Sequence, residues 1–339
     1  MELHFNRLRE QMASVQQQLL DYVARLVAQP AAARAAGGAA APAPAPVPAP
    51  ALAPGMARVV AVAAAGAGLV RVLGPADGIT EPLCVAFDGQ GNVAVSTGSV
   101  VTLFRYSDWT LVRTIWSAGG SFYSAFGIAF DGHGLMIVTT RDVPSHPIQV
   151  FRCSDGQHVR TISSRGKGPD QVYEPLGVAC DGKGNIAVQD GKNGRVQVFR
   201  LSDGAHVRSI GSKGAGPGQF RGWGYVAFDA EGKLFVSDGW NATVQVLEYS
   251  SGRHLRSIGR RGKCDGEFQF CLGIALDCSG HLVVADNGNK RVQVFRCSDG
   301  QHVRTICPGD IKGAFGVAID GEGRMLVCDY GGNCLQVLQ

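Results

Sequence analysis

Histidine, cysteine and aspartate are the residues of this 339-residue chain with the strongest capacity for metal or proton chemistry, and their spacing argues against both. A catalytic zinc takes about three converging protein ligands and keeps one position open. His158, His206, His254 and His302 recur every 48 residues in H-V/L-R-T/S-I segments, so each belongs to a different structural unit and the four cannot share a metal. His133 and His281 lie at or beside turns of another kind, and His146 lies in a separate loop. None of the 10 cysteines forms a C-x-x-C pair, and the seven-residue steps of Cys264, Cys271 and Cys278 match no common zinc pattern. Cys180 and Cys328 sit in strand-like runs where a small apolar residue would serve, so the cysteines read as free thiols of an intracellular, cytoplasmic protein. Asp190, Asp238, Asp286 and Asp329 each end an apolar run. A carboxylate there caps the following turn and can pair with Arg195 or Arg291, which is a structural role. The expectation is a chain with no catalytic residue, no cofactor and no resident metal.

The elements that hold these residues repeat. CVAFDGQGN (84–92) recurs as GIAFDGHGL (127–135), GVACDGKGN (177–185), YVAFDAEGK (225–233), GIALDCSGH (273–281) and GVAIDGEGR (316–324). The anchor aspartates Asp88, Asp131, Asp181, Asp229, Asp277 and Asp320 are spaced 43, 50, 48, 48 and 43 apart. A V-Q-V-F-R type segment follows each anchor, and a H-V-R-T-I type segment follows five of them. Each unit therefore reads as four short strands, a to d, with a D-G-x-G turn between a and b and an S-D-G turn between c and d. Four strands per 40 to 50 residues is the pattern of a β-propeller blade, and the expected fold is all-β with six blades. Strand a lies innermost and strand d at the rim. The last unit stops after strand c, so strand 68–74 (GLVRVLG) is expected to complete it. Residues 58–63 then compete with 335–339 for one slot. Closure is expected to remove exposed sheet edges.

Two other zones precede the propeller, which is assigned to 58–339. In residues 1–29 the apolar side chains Phe5, Leu8, Met12, Val15, Leu19, Tyr22 and Leu26 step by 3, 4, 3, 4, 3 and 4. This a/d seam fits an amphipathic helix that self-associates as a coiled coil through Leu8, Met12, Val15, Leu19, Tyr22 and Leu26. Residues 30–57 are Ala/Pro-rich, and A-P alternation favours an extended spacer.

The repeats resemble the NHL family of six-bladed propellers. The resemblance rests on the G-V-A-x-D-x-x-G-N anchor, the V-A-D-x-G-N-x-R-V-Q-V-F run (284–295) and the G-x-G-x-G-Q-F linker (214–220). It implies one of three functions. In tripartite-motif proteins the propeller selects ubiquitination substrates, behind a RING, a B-box and a coiled coil. The helix, spacer and propeller order is similar here, but residues 1–57 hold no cysteine and only His4, so they contain no RING or B-box zinc site. A second implied function is RNA binding by a basic upper face. A third is a peptide-amidating lyase with histidine-bound zinc at the axis, which the scattered histidines disfavour.

The d–a and b–c loops share one face, called upper here. Its basic and acidic residues are nearly balanced in the sequence, with basic clusters at 260–263 and 290–291, and the overall charge of +4 is too small to imply nucleic acid alone. Trp223, Trp240, Tyr173 and Tyr330 fall in upper-face loops, with Arg221, Arg260, Arg261 and Lys290 nearby. Aromatics and arginines on an exposed face are typical anchors for protein partners. The expectation is a non-enzymatic interaction scaffold. No apolar run approaches the roughly 18 residues of a membrane span.

Overall fold

The computed structural model describes residues 68–117, 120, 122, 124–141, 147–306 and 311–339. These form six four-stranded antiparallel sheets. Blade 1 is Cys84–Phe87, Asn92–Ser96, Val101–Arg105 and Leu111–Ile115. Blade 2 is Ala125–Phe130, Leu135–Thr140, Ile148–Arg152 and His158–Ile162. Blade 3 is Pro175–Cys180, Asn185–Asp190, Arg195–Arg200 and His206–Ile210. Blade 4 is Val226–Phe228, Lys233–Asp238, Thr243–Glu248 and His254–Ile258. Blade 5 is Cys271–Leu276, His281–Asp286, Arg291–Arg296 and His302–Ile306. Blade 6 is Ala314–Ile319, Met325–Asp329 and Cys334–Leu338, with Leu69–Leu73 as its fourth strand. Leu73 lies opposite Leu335 and Val72 opposite Gln336, so the two ends of the propeller meet in one sheet. Cys334–Leu338 fills the strand c slot, paired on both sides; residues 58–63 lie outside the described residues.

The anchor aspartate builds each a–b turn. Asp88 Oδ1 accepts hydrogen bonds from Gln90 N at 2.7 Å and Asn92 N at 2.9 Å. The same two bonds recur at Asp131, Asp181, Asp229, Asp277 and Asp320. Gly89 and Gly91 take φ of 74° and 92° in this turn, which explains the D-G-x-G spelling.

Ring assembly depends on close approach at the hub. Four positions before the anchor stand Cys84, Gly127, Gly177, Tyr225, Gly273 and Gly316. A Cβ on Gly177 would collide with the Cα of Tyr225, and one on Gly273 with Phe315 O of the next blade. The d–a loops are sealed by fully buried side chains, Val172, Phe220 and Phe268. Burying an aromatic or aliphatic side chain of this size contributes about 1.5–3 kcal/mol.

The rim shows one kind of contact between blades and one departure from expectation. The H-V-R-T-I arginines reach the next blade: Arg113 Nη2 donates to Ser154 O at 2.8 Å, Arg208 Nη1 to Ser250 O at 2.6 Å, and Arg160 Nη1 to Ser202 O. Ring closure also leaves strand edges, because each strand d pairs on one side only. The closure argument covers the circumference, whereas each blade ends radially at an outermost strand. Val70, Leu111, Val207 and Val303 on these strands are exposed.

Candidate functional site: the hub and the upper face

The hub is filled. Tyr225 of blade 4 replaces the glycine of four other blades and is 7% exposed. Its hydroxyl donates toward Leu83 O at 3.2 Å and Phe126 O at 3.0 Å, in blades 1 and 2, so the side chain crosses the axis. Burial pushes this phenol well above its ordinary pKa and raises the Cys84 thiol beside it to about 11. Both groups are therefore protonated hydrogen-bond donors near neutral pH.

Among the described residues, the histidines do not converge. His158, His206 and His302 stack edgewise on Phe151, Phe199 and Phe295 of their own blades. His281 Nδ1 lies 2.9 Å from the Asp277 carboxylate in its own turn. His146 lies outside the described residues. Among the described residues, no three His, Cys, Asp or Glu side chains are placed to hold a metal.

The aspartates that end strand b are all 0% exposed. Asp190 binds Arg195 Nε at 2.9 Å and Asn193 Nδ2 at 2.8 Å, and accepts from Tyr173 N at 2.7 Å. Asp286 repeats this with Arg291 Nε at 2.9 Å, Asn289 Nδ2 at 2.8 Å and Gln269 N at 3.1 Å. The arginine of each pair also bonds d–a loop carbonyls, Gly168 O and Gln171 O for Arg195, Cys264 O and Glu267 O for Arg291. These carboxylates clamp the upper loops together.

Blade 4 lacks the arginine. Thr243 stands opposite Asp238, where Arg195 and Arg291 stand opposite their aspartates. Asp238 is held only by neutral donors: Arg221 N at 2.8 Å, Asn241 N at 3.2 Å and Asn241 Nδ2 at 2.8 Å. Desolvation outweighs these bonds and raises its pKa to about 6. The Asn241 amide also donates to Gly214 O at 3.0 Å, so the N-A-T sequence there is engaged in loop structure.

This carboxylate holds the two tryptophan loops. Trp223 takes φ of 60°, a left-handed conformation that bulky residues adopt at a cost of roughly 1–2 kcal/mol. Its carbonyl accepts from Gly239 N at 2.8 Å, one residue before Trp240. Trp223 packs edgewise on Phe126 at 5.9 Å and against Phe270 at 6.2 Å, and Trp240 meets the same Phe270 at 5.3 Å. Arg141 lies over the Trp223 ring at 4.5 Å and pairs with Glu174 at 3.3 Å. Trp240 remains 38% exposed.

The expected contact residues thus divide. Trp223, Trp240 and Arg261 come together, since Arg261 Nη2 donates to Trp240 O at 2.5 Å. Arg221 sits on the same pair of loops, and Lys290 lies beside the Phe270 loop, both exposed. Arg260 is exposed but pairs with Glu267 at 2.9 Å. Tyr330 stacks on Phe315, and both pack with Trp223 on the apolar cluster of Leu83, Phe126 and Leu176. Tyr173 lies under Arg165 at 4.6 Å. Sequence reasoning missed Tyr225, Phe126 and Phe270. Tyr225 could have been found as the tyrosine in a mostly glycine column. Residues 8–26, expected to form a coiled coil, lie outside the described residues.

Folding shifts the upper-face charge toward positive. Asp190 and Asp286 are withdrawn together with Arg195 and Arg291, Asp238 and Asp329 are withdrawn without a cation among the described residues, and Arg221, Arg260, Arg261, Lys263 and Lys290 stay exposed.

A closed ring of six four-stranded sheets defines a six-bladed β-propeller. The NHL repeat family model matches residues 268–295, which hold strands a and b and most of strand c of blade 5, so this propeller carries an NHL repeat. Solved structures show the same fold. A chain from the crystal structure of a nidogen/laminin complex is 17% identical with a TM-score of 0.58, over 71% of this chain and 85% of that one. A chain of Kuenenia stuttgartiensis hydrazine synthase is 13% identical with a TM-score of 0.55, over 77% of this chain and 96% of that one. No curated protein matches this chain. No helix among the described residues is long and apolar enough to cross a membrane.

Proposed function

We propose that this chain is a non-enzymatic interaction scaffold whose upper face, over blades 4 and 5, binds a protein partner. Its fold relatives come from a two-protein complex and from an enzyme, so fold alone does not choose between binding and catalysis. The carrying observation is the exposed Trp240 on the Trp223–Phe270 cluster, beside Arg261, above an axis filled by Tyr225. Clustered Trp and Arg are the residues that most often dominate interface energy. The reading resembles the substrate-selecting role of tripartite-motif propellers, in which case the bound protein is a ubiquitination substrate.

Residues 5–26 gather copies of the chain, so weak single contacts are strengthened by multivalency. Light scattering on the full chain tests this: Leu8→Asn/Leu19→Asn is expected to lower the mass to that of a monomer, and equal masses contradict it. Partner capture with wild type and Trp223→Ala/Trp240→Ala tests the face. The double variant is expected to lose the captured protein; retention moves the site elsewhere. The exposed basic residues favour one alternative, RNA binding. A phosphate-driven complex weakens steeply with salt and would appear with single-stranded RNA alone.

A further inference from the structure

We infer that the segment recognised by the upper face is an acidic peptide carrying one large apolar side chain between its carboxylates. This rests on the upper-face reading and adds the chemistry of the ligand.

The inference starts from what the ring hides. The four strand-b aspartates are fully buried and bonded to loop donors, and two of them neutralise Arg195 and Arg291, which are themselves withdrawn. The surface over blades 4 and 5 keeps Arg221, Arg260, Arg261, Lys263 and Lys290. Among the described residues, two carboxylates oppose them. Glu267 is engaged by Arg260 at 2.9 Å. Asp265 accepts from Thr305 Oγ1 at 2.6 Å and lies 3.5 Å from Arg291. Net positive charge therefore surrounds an apolar patch made by Trp240, Phe270 and Trp223. Exposed charges act over a Debye length of about 8 Å at physiological salt, so a ligand must place its carboxylates close to this patch.

The lower face offers no such excess. Its c–d turns pair their own charges three residues apart: Arg105–Asp108, Arg152–Asp155, Arg200–Asp203 and Arg296–Asp299. Complementarity to an acidic ligand is thus a property of one face.

The aromatic geometry favours a peptide over nucleic acid. Base stacking needs open ring faces. Arg141 covers a face of Trp223 at 4.5 Å, and Arg165 covers a face of Tyr173 at 4.6 Å. Trp240 meets Phe270 edge-on at 5.3 Å and stays 38% exposed, so it offers apolar ring surface to an aliphatic or aromatic side chain.

The test uses the full chain and labelled synthetic peptides. One peptide is Asp/Glu-rich with a central leucine. A second replaces its acids by Asn/Gln, a third its leucine by Ala, and an oligouridylate is the nucleic-acid probe. Anisotropy is read at low and at physiological salt. The acidic peptide is expected to bind at least tenfold more tightly than either altered peptide and to weaken with salt. Arg221→Glu/Arg261→Glu/Lys290→Glu is expected to weaken it at least tenfold. Arg200→Glu on the lower face is expected to leave it unchanged, and unchanged melting midpoints show that the variants fold. Equal affinity for the neutral peptide, tighter binding of oligouridylate, no saturable binding of the acidic peptide, or an equal effect of Arg200→Glu overturns the inference. A captured protein lost on Trp223→Ala/Trp240→Ala but indifferent to the charge reversals leaves the upper-face reading standing and the acidic ligand wrong.

Discussion

Blades 4 and 5 share a template and differ where it meets the upper face. In blade 5, Gly273 lets the neighbouring hub strand close in, and Arg291 neutralises the buried Asp286. In blade 4, Tyr225 fills the axis, Thr243 leaves Asp238 without a cation, and Trp223 holds a strained backbone angle. Blade 5 keeps the charge pair that stabilises the ring, while its loops supply Phe270 and Arg261 to the patch around Trp240. Blade 4 gives up part of that stability and gains an exposed tryptophan on a loop held by a carboxylate of raised pKa. The departures from a repeat, more than the repeat itself, mark where a ring of similar units becomes asymmetric enough to bind something.

The largest expected effect breaks the blade 5 side. Arg291→Ala leaves Asp286 buried and unpaired, which should cost about 3–5 kcal/mol in urea unfolding. Thr243→Ala in blade 4 should cost less than about 1 kcal/mol. Similar losses at both positions would mean that the clamp carries no special weight.

The hub is next. Tyr225→Ala removes a buried aromatic and should cost about 3–5 kcal/mol. Tyr225→Phe, which deserts two carbonyls, should cost about 1–3 kcal/mol. A phenylalanine variant as stable as wild type would mean that the hydroxyl proton shared between the two axial carbonyls contributes little.

The third prediction concerns pH. Asp238 has its folded pKa raised from 3.8 to about 6, so the folded state binds this proton more tightly than the unfolded state. Its contribution to stability is fully present below about pH 3.8 and is lost as pH rises through about 6. At about 1.36 kcal/mol per pKa unit the span is on the order of 2–3 kcal/mol. Thr243→Arg supplies the cation that Arg291 gives in blade 5 and should reduce this dependence in unfolding measured from pH 4 to pH 7, a part remaining because burial also raises Asp190 beside Arg195. An unchanged slope would remove Asp238 as its source.

The smallest stability effect is expected at Trp240. Trp240→Ala should shift stability by less than about 1 kcal/mol because the side chain is partly exposed. Its effect on partner capture should be large.

Much of the fold is legible in the sequence because the repeat is local. The D-G-x-G turn is closed by bonds within four residues of its aspartate, and the HVRTI segments emerge as strands His158–Ile162 and His302–Ile306. What depends on the ring is hidden. Arg113 and Arg208 bond turns in the next blade, and which carboxylates leave the surface depends on how loops from adjacent blades meet. The pairing of Asp190 with Arg195 and of Asp286 with Arg291 could be anticipated because five residues separate them across one turn. The joining of Trp223, Trp240 and Phe270 could not, since it brings two blades together.

The most direct measurement is partner affinity for three forms of the full chain: wild type, Trp240→Ala/Arg261→Glu on the upper face, and Arg200→Glu on the lower. Binding that falls at least tenfold in the upper-face form alone is the predicted result. Equal affinity in all three forms, with folding intact, would contradict the assignment of binding to the upper surface of blades 4 and 5.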